Sequence, residues 1–240
     1  MDRPVLPSSA TRRGNGFTLV ELLTVIAIVG ALAAILIVAA GKVRRSSLRA
    51  QTISNLRQVH RAIMLYAGDN KNKIPAMLFR DLEKPIDANS TNWKKVLVNG
   101  GYLGAPDHPD PSLTSLGAVG GPYSVLGSPI QRANRPVEKR WDTFGISSFA
   151  AGWQSTGGSH PRGMLTDFVA PPRTILAGEG AFNGTEFRLE ISPTIFPTDA
   201  DDDKAGFVFV DGHVGQLRVS TLPTSSATEG SDGWYLWRGR

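Results

Sequence analysis

No cysteine occurs anywhere in the 240-residue chain, which excludes disulfide cross-links and thiolate metal centres. Oxidising compartments permit disulfides without requiring them, so this absence leaves the location open. A strong charge imbalance is also lacking. The formal net charge is +5, and residues 1–16, with Arg3, Arg12, Arg13 and Asp2, account for part of it, leaving +3 on a chain that starts at residue 17. That excess is too small to point to nucleic acid, although Lys42, Arg44, Arg45 and Arg49 form a local basic cluster. There is no His-Glu-x-x-His pair, no Gly-x-Ser-x-Gly elbow and no phosphate-binding glycine loop. The histidines His60, His108, His160 and His213 are scattered, and Asp167, Glu179, Glu186 and Glu190 are carboxylates that any fold could pair, so no catalytic residue is assigned and the chain does not read as an enzyme.

Charge is missing most conspicuously from Leu22 to Gly41, twenty consecutive residues without Asp, Glu, Lys or Arg. About 20 apolar residues at about 1.5 Å each span the hydrocarbon of a bilayer as one helix. At the edge of this run stands Glu21, whose carboxylate would cost about 2.5–3.5 kcal/mol at the centre of a membrane helix and therefore asks for a partner. An ordinary secretory signal peptide, with Arg12 and Arg13 ahead of the apolar stretch and Val38-Ala39-Ala40 as its cleavage site, predicts a mature chain from Gly41. Its apolar core is about 7–15 residues, shorter than the run seen, and it has no use for Glu21. A plain signal anchor leaves Glu21 equally unexplained.

The string Gly16-Phe17-Thr18-Leu19-Val20-Glu21-Leu22-Leu23, behind a short leader with Arg12 and Arg13, resembles the processing signal of type IV pilins and of the pseudopilins of type II secretion. The resemblance implies cleavage after Gly16 by prepilin peptidase on the cytoplasmic side, N-methylation of Phe17, and assembly with other pilin-like subunits, as a homo- or hetero-polymer, through an inner-membrane assembly platform. It places the chain in the bacterial inner membrane as a single-pass protein with its C-terminal domain in the periplasm. Basic residues flank both ends of the apolar run, so orientation rests on this leader rather than on charge asymmetry. Elementary geometry agrees with the implied role of Glu21: an ammonium on Phe17 and a carboxylate four residues later share one helix face.

Four segments follow: a leader over 1–16, a transmembrane or filament-core helix over 17–41, its amphipathic continuation over 42–67, and a globular domain over 68–240. In the continuation, Val43, Ala50, Ile53, Leu56, Val59, Ile63 and Tyr66 recur at helical spacing, and Gly68 with Asp69-Asn70-Lys71-Asn72-Lys73-Ile74-Pro75 ends the helix. The apolar run lacks the distal proline of many pilin-like proteins, so unwinding would fall to Gly30 and Gly41. The stretch Leu56 to Tyr66 with Asp69-Asn70-Lys71 and Pro75 also resembles the helix end of major pseudopilins.

Farther on, a second helix is expected over Trp93 to Val98, then a loop-rich insertion over 104–172 with a strand at Gly145 to Trp153. Strands are expected at Arg173 to Ala177, Glu186 to Ile191, Phe207 to Val210 and Val214 to Val219, with Asp211-Gly212 as a hairpin turn and Trp234, Tyr235 and Trp237 in a packed end strand. The run Gly206 to Val214 resembles the C-terminal Asp-Gly motif of a large group of pilin-like proteins; the His that group places ten residues before the Asp is Asp201 here. The expected fold class is α+β, a long N-terminal helix packed on a small antiparallel sheet. Asp199, Asp201 and Asp203 are alternating oxygen donors that suit calcium, and resemblance to major pseudopilins implies calcium in this region, although Lys204 and Val210 break the EF-hand pattern. A reading of another class is a membrane-tethered periplasmic module that uses residues 104–172 to bind a glycan, a surface polymer or nucleic acid.

Overall fold

The computed structural model describes residues 18–79, 91–104, 125–134, 143–155, 158–160, 163–181, 190–197, 200–226 and 228–239. The chain divides into two compact units, residues 1–44 and 45–240. One helix, α1, runs over Leu19–Asp69. Gly30 and Gly41 lie inside it without interrupting it, and a Cβ at either would meet nothing. In the first unit the described apolar side chains of α1 are exposed, as composition dictates for a helix that is hydrophobic all round.

In the second unit α1 buries Leu56, Val59, Ala62, Ile63 and Tyr66, together with the polar Thr52. The buried stripe starts later than the sequence pattern suggests: Ala50 is exposed, Ile53 only half-buried, and Val43 belongs to the exposed first unit. The helix stops where Lys71 and Asn72 take positive φ, which no continuing right-handed helix allows.

A two-stranded ribbon, β1 (Leu78–Phe79) with β2 (Thr91–Asn92), leads into α2, Trp93–Asn99. Asn92 caps α2 by accepting from the backbone N–H groups of Lys94 and Lys95. After Gly100 and Gly101 the chain returns as expected: Leu103 is buried, and the Tyr102 ring meets Tyr66 edge to face while its hydroxyl donates to Asp69. Helix α3 is Pro129–Asn134.

The strand expected at Gly145 to Trp153 is present in its first part, inside the main sheet, and gives way to a helix at Ser148. Strand β3 is Phe144–Ser147, fully buried, and Ser147 then caps a short helix α4, Ser148–Ala151, before β4 (Trp153–Ser155) and β5 (Gly158–His160). The remaining strands are β6 (Ile175–Glu179), β7 (Glu190–Ile191), β8 (Lys204–Phe209) and β9 (Val214–Arg218). The main sheet has the order β7-β3-β6-β8-β9, antiparallel except for the β3–β7 pair at its edge. Of the strand expected at Glu186 to Ile191, residues 186–189 fall outside the described residues. Arg173 belongs to a 3-10 turn, because Pro171 and Pro172 hold the chain there out of the ladder.

Both faces of the sheet are covered. Phe144, Ile146, Leu176, Ala177 and Val208 pack with the buried stripe of α1, whereas Ile175, Ala205, Phe207 and Phe209 pack with Val219, Leu222 and Trp237. A bulge between Ile175 and Ala177 explains why Leu176 and Ala177, though adjacent, share one core: the extra residue breaks the period of two. Trp234 and Trp237 lie in a helix, α5 (Asp232–Trp237), not in the expected end strand. Ser231 accepts from the Trp234 N–H at its start, and an N-cap of that kind outweighs the strand preference of aromatic residues.

Candidate processing and assembly site

Gly16 and Phe17 lie outside the described residues, which begin at Thr18. Glu21 sits in the first turn of α1. Its Oε2 accepts from the Thr18 backbone N–H at 2.9 Å and from the Thr18 hydroxyl at 2.7 Å, while the Glu21 N–H donates back to Thr18 Oγ1 at 3.2 Å. Thr18 and Glu21 thus form a capping box, satisfying donors that the start of a helix leaves open. Its signal is local in the sequence, a Thr followed three residues later by Glu immediately before an apolar run. Both contacts go to one oxygen, so within the described residues Oε1 is left to accept from a cation. The Thr24 hydroxyl donates to the Glu21 carbonyl at 2.9 Å, ordering the next turn.

Around this box the surface is apolar. Leu19, Val20, Leu22 and Leu23 are more than half exposed, and so are Ile26, Ile28 and Val29 one to two turns on. Among the described residues of the first unit nothing covers them, a condition that monomeric soluble proteins avoid over large areas. Among the described residues α1 is the helix long and apolar enough to cross a membrane.

The acidic turn is only partly described. Asp199 and the side chain of Asp201 fall outside the described residues. Asp202 and Asp203 both take positive φ. Asp202 lies 3.6 Å from Arg49 and 3.8 Å from Lys204, and Asp203 accepts from both the N–H and the hydroxyl of Ser220, at 2.9 and 2.5 Å. The Ser220 hydroxyl and backbone N–H hold the Asp203 carboxyl below the usual carboxylate range. Among the described residues no group of three or more His, Asp or Glu side chains is arranged to hold a metal.

Two of the histidines meet at the β8–β9 turn. His60 of α1 contacts the Val210 carbonyl through Nε2 at 3.2 Å, and the His213 ring bonds Asp211 at 2.7 Å while stacking on Phe209. Burial pushes the Asp211 carboxyl up, but hydrogen bonds from the His213 ring and N–H, aided by the charges of His213 and His60, bring it below its ordinary value. His108 and Glu186 are outside the described residues, as are the side chains of His160 and Glu190. Asp167 accepts from the Met164 N–H, a local cap. Glu179 is buried and accepts from Ser128 Oγ at 2.5 Å and from the Gly206 N–H at 2.6 Å, within a network that also joins Thr52 of α1 to Ser128. These partners are those of a polar clamp between α1, β6 and β8.

Residues 11–37 match a family model described as the prokaryotic N-terminal methylation motif. No curated protein and no solved structure matches the chain. The matched residues hold the Gly16-Phe17 junction, the capping box and most of the uncharged run. The chain therefore carries a prepilin-type N-terminal methylation motif on an apolar helix that fits a membrane-anchored single-pass protein, consistent with the type IV pilin-like and pseudopilin family.

Proposed function

We propose that this chain is a structural subunit, a pseudopilin or pilin, of a type II secretion-like or type IV pilus-like filament. The observation that supports the reading is a juxtaposition: the methylation motif leads directly into an exposed helix whose sole charge between Thr18 and Gly41 is Glu21. Prepilin peptidase cuts after Gly16 on the cytoplasmic face of the inner membrane, and the freed Phe17 amine is methylated. The assembly platform then extracts the subunit, whose second unit stands in the periplasm. In the filament the Glu21 carboxylate pairs with a Phe17 ammonium, and in the single chain the capping box with Thr18 keeps that carboxylate bonded at the helix start. The work of such a subunit is mechanical and associative rather than catalytic.

N-terminal sequencing of the mature protein tests the processing step. N-methylated Phe17 is expected; a start at Gly41 would mean a secretory signal peptide, and Met1 an uncleaved anchor. Replacing Gly16 should leave the longer precursor in the inner membrane. Glu21→Ala should abolish incorporation into filaments at equal protein level, and unimpaired incorporation would count against the pairing. The tethered binding module is separated by fractionation: a filament subunit shears off or pellets as polymer, whereas a tethered receptor stays with the membrane.

A further inference from the structure

The uncharged run of α1 ends at Gly41, and the next charged residues are Lys42 and Arg44, both exposed and both in the first unit. No acidic residue follows until Asp69, so nothing along the intervening sequence offsets them locally. At roughly 100° of rotation per residue, positions 42 and 44 stand about 200° apart around the helix axis. A partner docking from one side would meet one of these cations and miss the other. A layer that encircles the helix meets both. The run from Leu22 to Gly41, at about 1.5 Å per residue, is about 30 Å long, the thickness of the bilayer hydrocarbon. With Glu21 at one hydrocarbon boundary, Lys42 and Arg44 fall at the depth of the phosphates on the other.

We infer that Lys42 and Arg44 form a basic collar that binds anionic phospholipid headgroups while the subunit resides in the membrane. This rests on the reading that residues 22–41 span the bilayer. Each cation at a membrane surface strengthens attraction to anionic lipid roughly fivefold at low salt, and the effect dies within a Debye length. The collar selects the lipids beside the helix and opposes withdrawal of the subunit, so extraction into a filament has to strip these contacts.

The test uses the full chain reconstituted in phosphatidylcholine vesicles containing a minority of phosphatidylglycerol. Spin-labelled versions of the two lipids, compared in separate samples, report which of them occupies the boundary of the helix. Expected are a severalfold preference for phosphatidylglycerol, its loss in about 0.5 M salt, where screening shortens to a few ångströms, and its collapse to near unity in the double variant Lys42→Gln/Arg44→Gln. Equal occupancy by the two lipids in the unaltered chain overturns the inference. So does a double variant that keeps the full preference, which would assign it to cations other than the pair, Arg12 and Arg13 of the leader or Arg45. Alkaline carbonate extraction separates the two levels of failure: a chain that carbonate releases refutes the membrane span itself, whereas a retained chain without lipid preference refutes only the collar.

Discussion

Replacing Gly212 by Ala perturbs the second unit at the point where the β8–β9 turn meets α1. The turn is a three-residue loop: the Phe209 N–H donates to the His213 carbonyl, the Gly212 N–H donates to the Phe209 carbonyl, and Gly212 has φ +93°. A Cβ there costs about 1–2 kcal/mol for the left-handed backbone alone. The same atom would stand 2.7 Å from Cε1 of the His60 ring, closer than any real contact, and His60 is held by the Val210 carbonyl. Overpacking of this kind costs about 1–3 kcal/mol. The sum is about 2–5 kcal/mol, which for a unit of this size lowers Tm by about 5–15 °C. Tryptophan fluorescence during heating, on the full chain in detergent, is the appropriate assay, because Trp93 and Trp237 are fully buried in the second unit whereas the first has no tryptophan. In a His60→Ala background the same substitution should lose the contact part of its cost and keep the backbone part. An equal cost in both backgrounds would refute the packing argument, and a Tm change under about 2 °C would refute the whole.

Other outcomes follow from the turns around it. The Asp203 carboxyl is held low in the folded state by Ser220, so its contribution to stability is complete above the ordinary carboxylate value and is lost as pH falls through the lowered one. Ser220→Ala removes the hydroxyl and keeps the backbone N–H, so it should make the acid side of the stability profile shallower and move the Asp203 titration part of the way up toward the ordinary range in an NMR titration. Trp237→Phe shrinks a fully buried ring and takes the indole N–H, now 2.7 Å away, from the half-buried Pro223 carbonyl, and should cost about 1–3 kcal/mol by denaturant unfolding. Calcium at the turn of Asp199, Asp201 and Asp203 is a proposal with a direct readout: a bound ion makes Tm fall on adding excess chelator, and an unchanged Tm removes calcium from this site.

The strands legible in advance were those with local signals. Asp211-Gly212 marks β8–β9 because glycine takes positive φ without steric cost, and Gly101, at φ +74°, marks the end of α2 for the same local reason. A strand at Gly145 was expected, but its end at Ser147 and its place inside the sheet are not local, since they come from the Ser147 cap and from antiparallel pairing with β6 and parallel pairing with β7, both distant in sequence. The aromatic tail misled because cap geometry at Ser231 decides for helix where residue type alone favours strand. Glu179 reads as one more carboxylate until Ser128 and the Gly206 N–H surround it.

The sequence by itself determined the first unit. A helix without a packed face needs only composition and spacing to be read, and the methylation motif, the uncharged run, Glu21 and the cations that follow Gly41 are all local in the chain. Tertiary structure decided the second unit: which stripe of α1 is buried, that the sheet is covered on both faces, that β3 lies inside it, and that His60 receives the Asp211-Gly212 turn. Those outcomes depend on contacts between residues far apart in sequence, whose free energies exist only once the chain has closed the intervening loops.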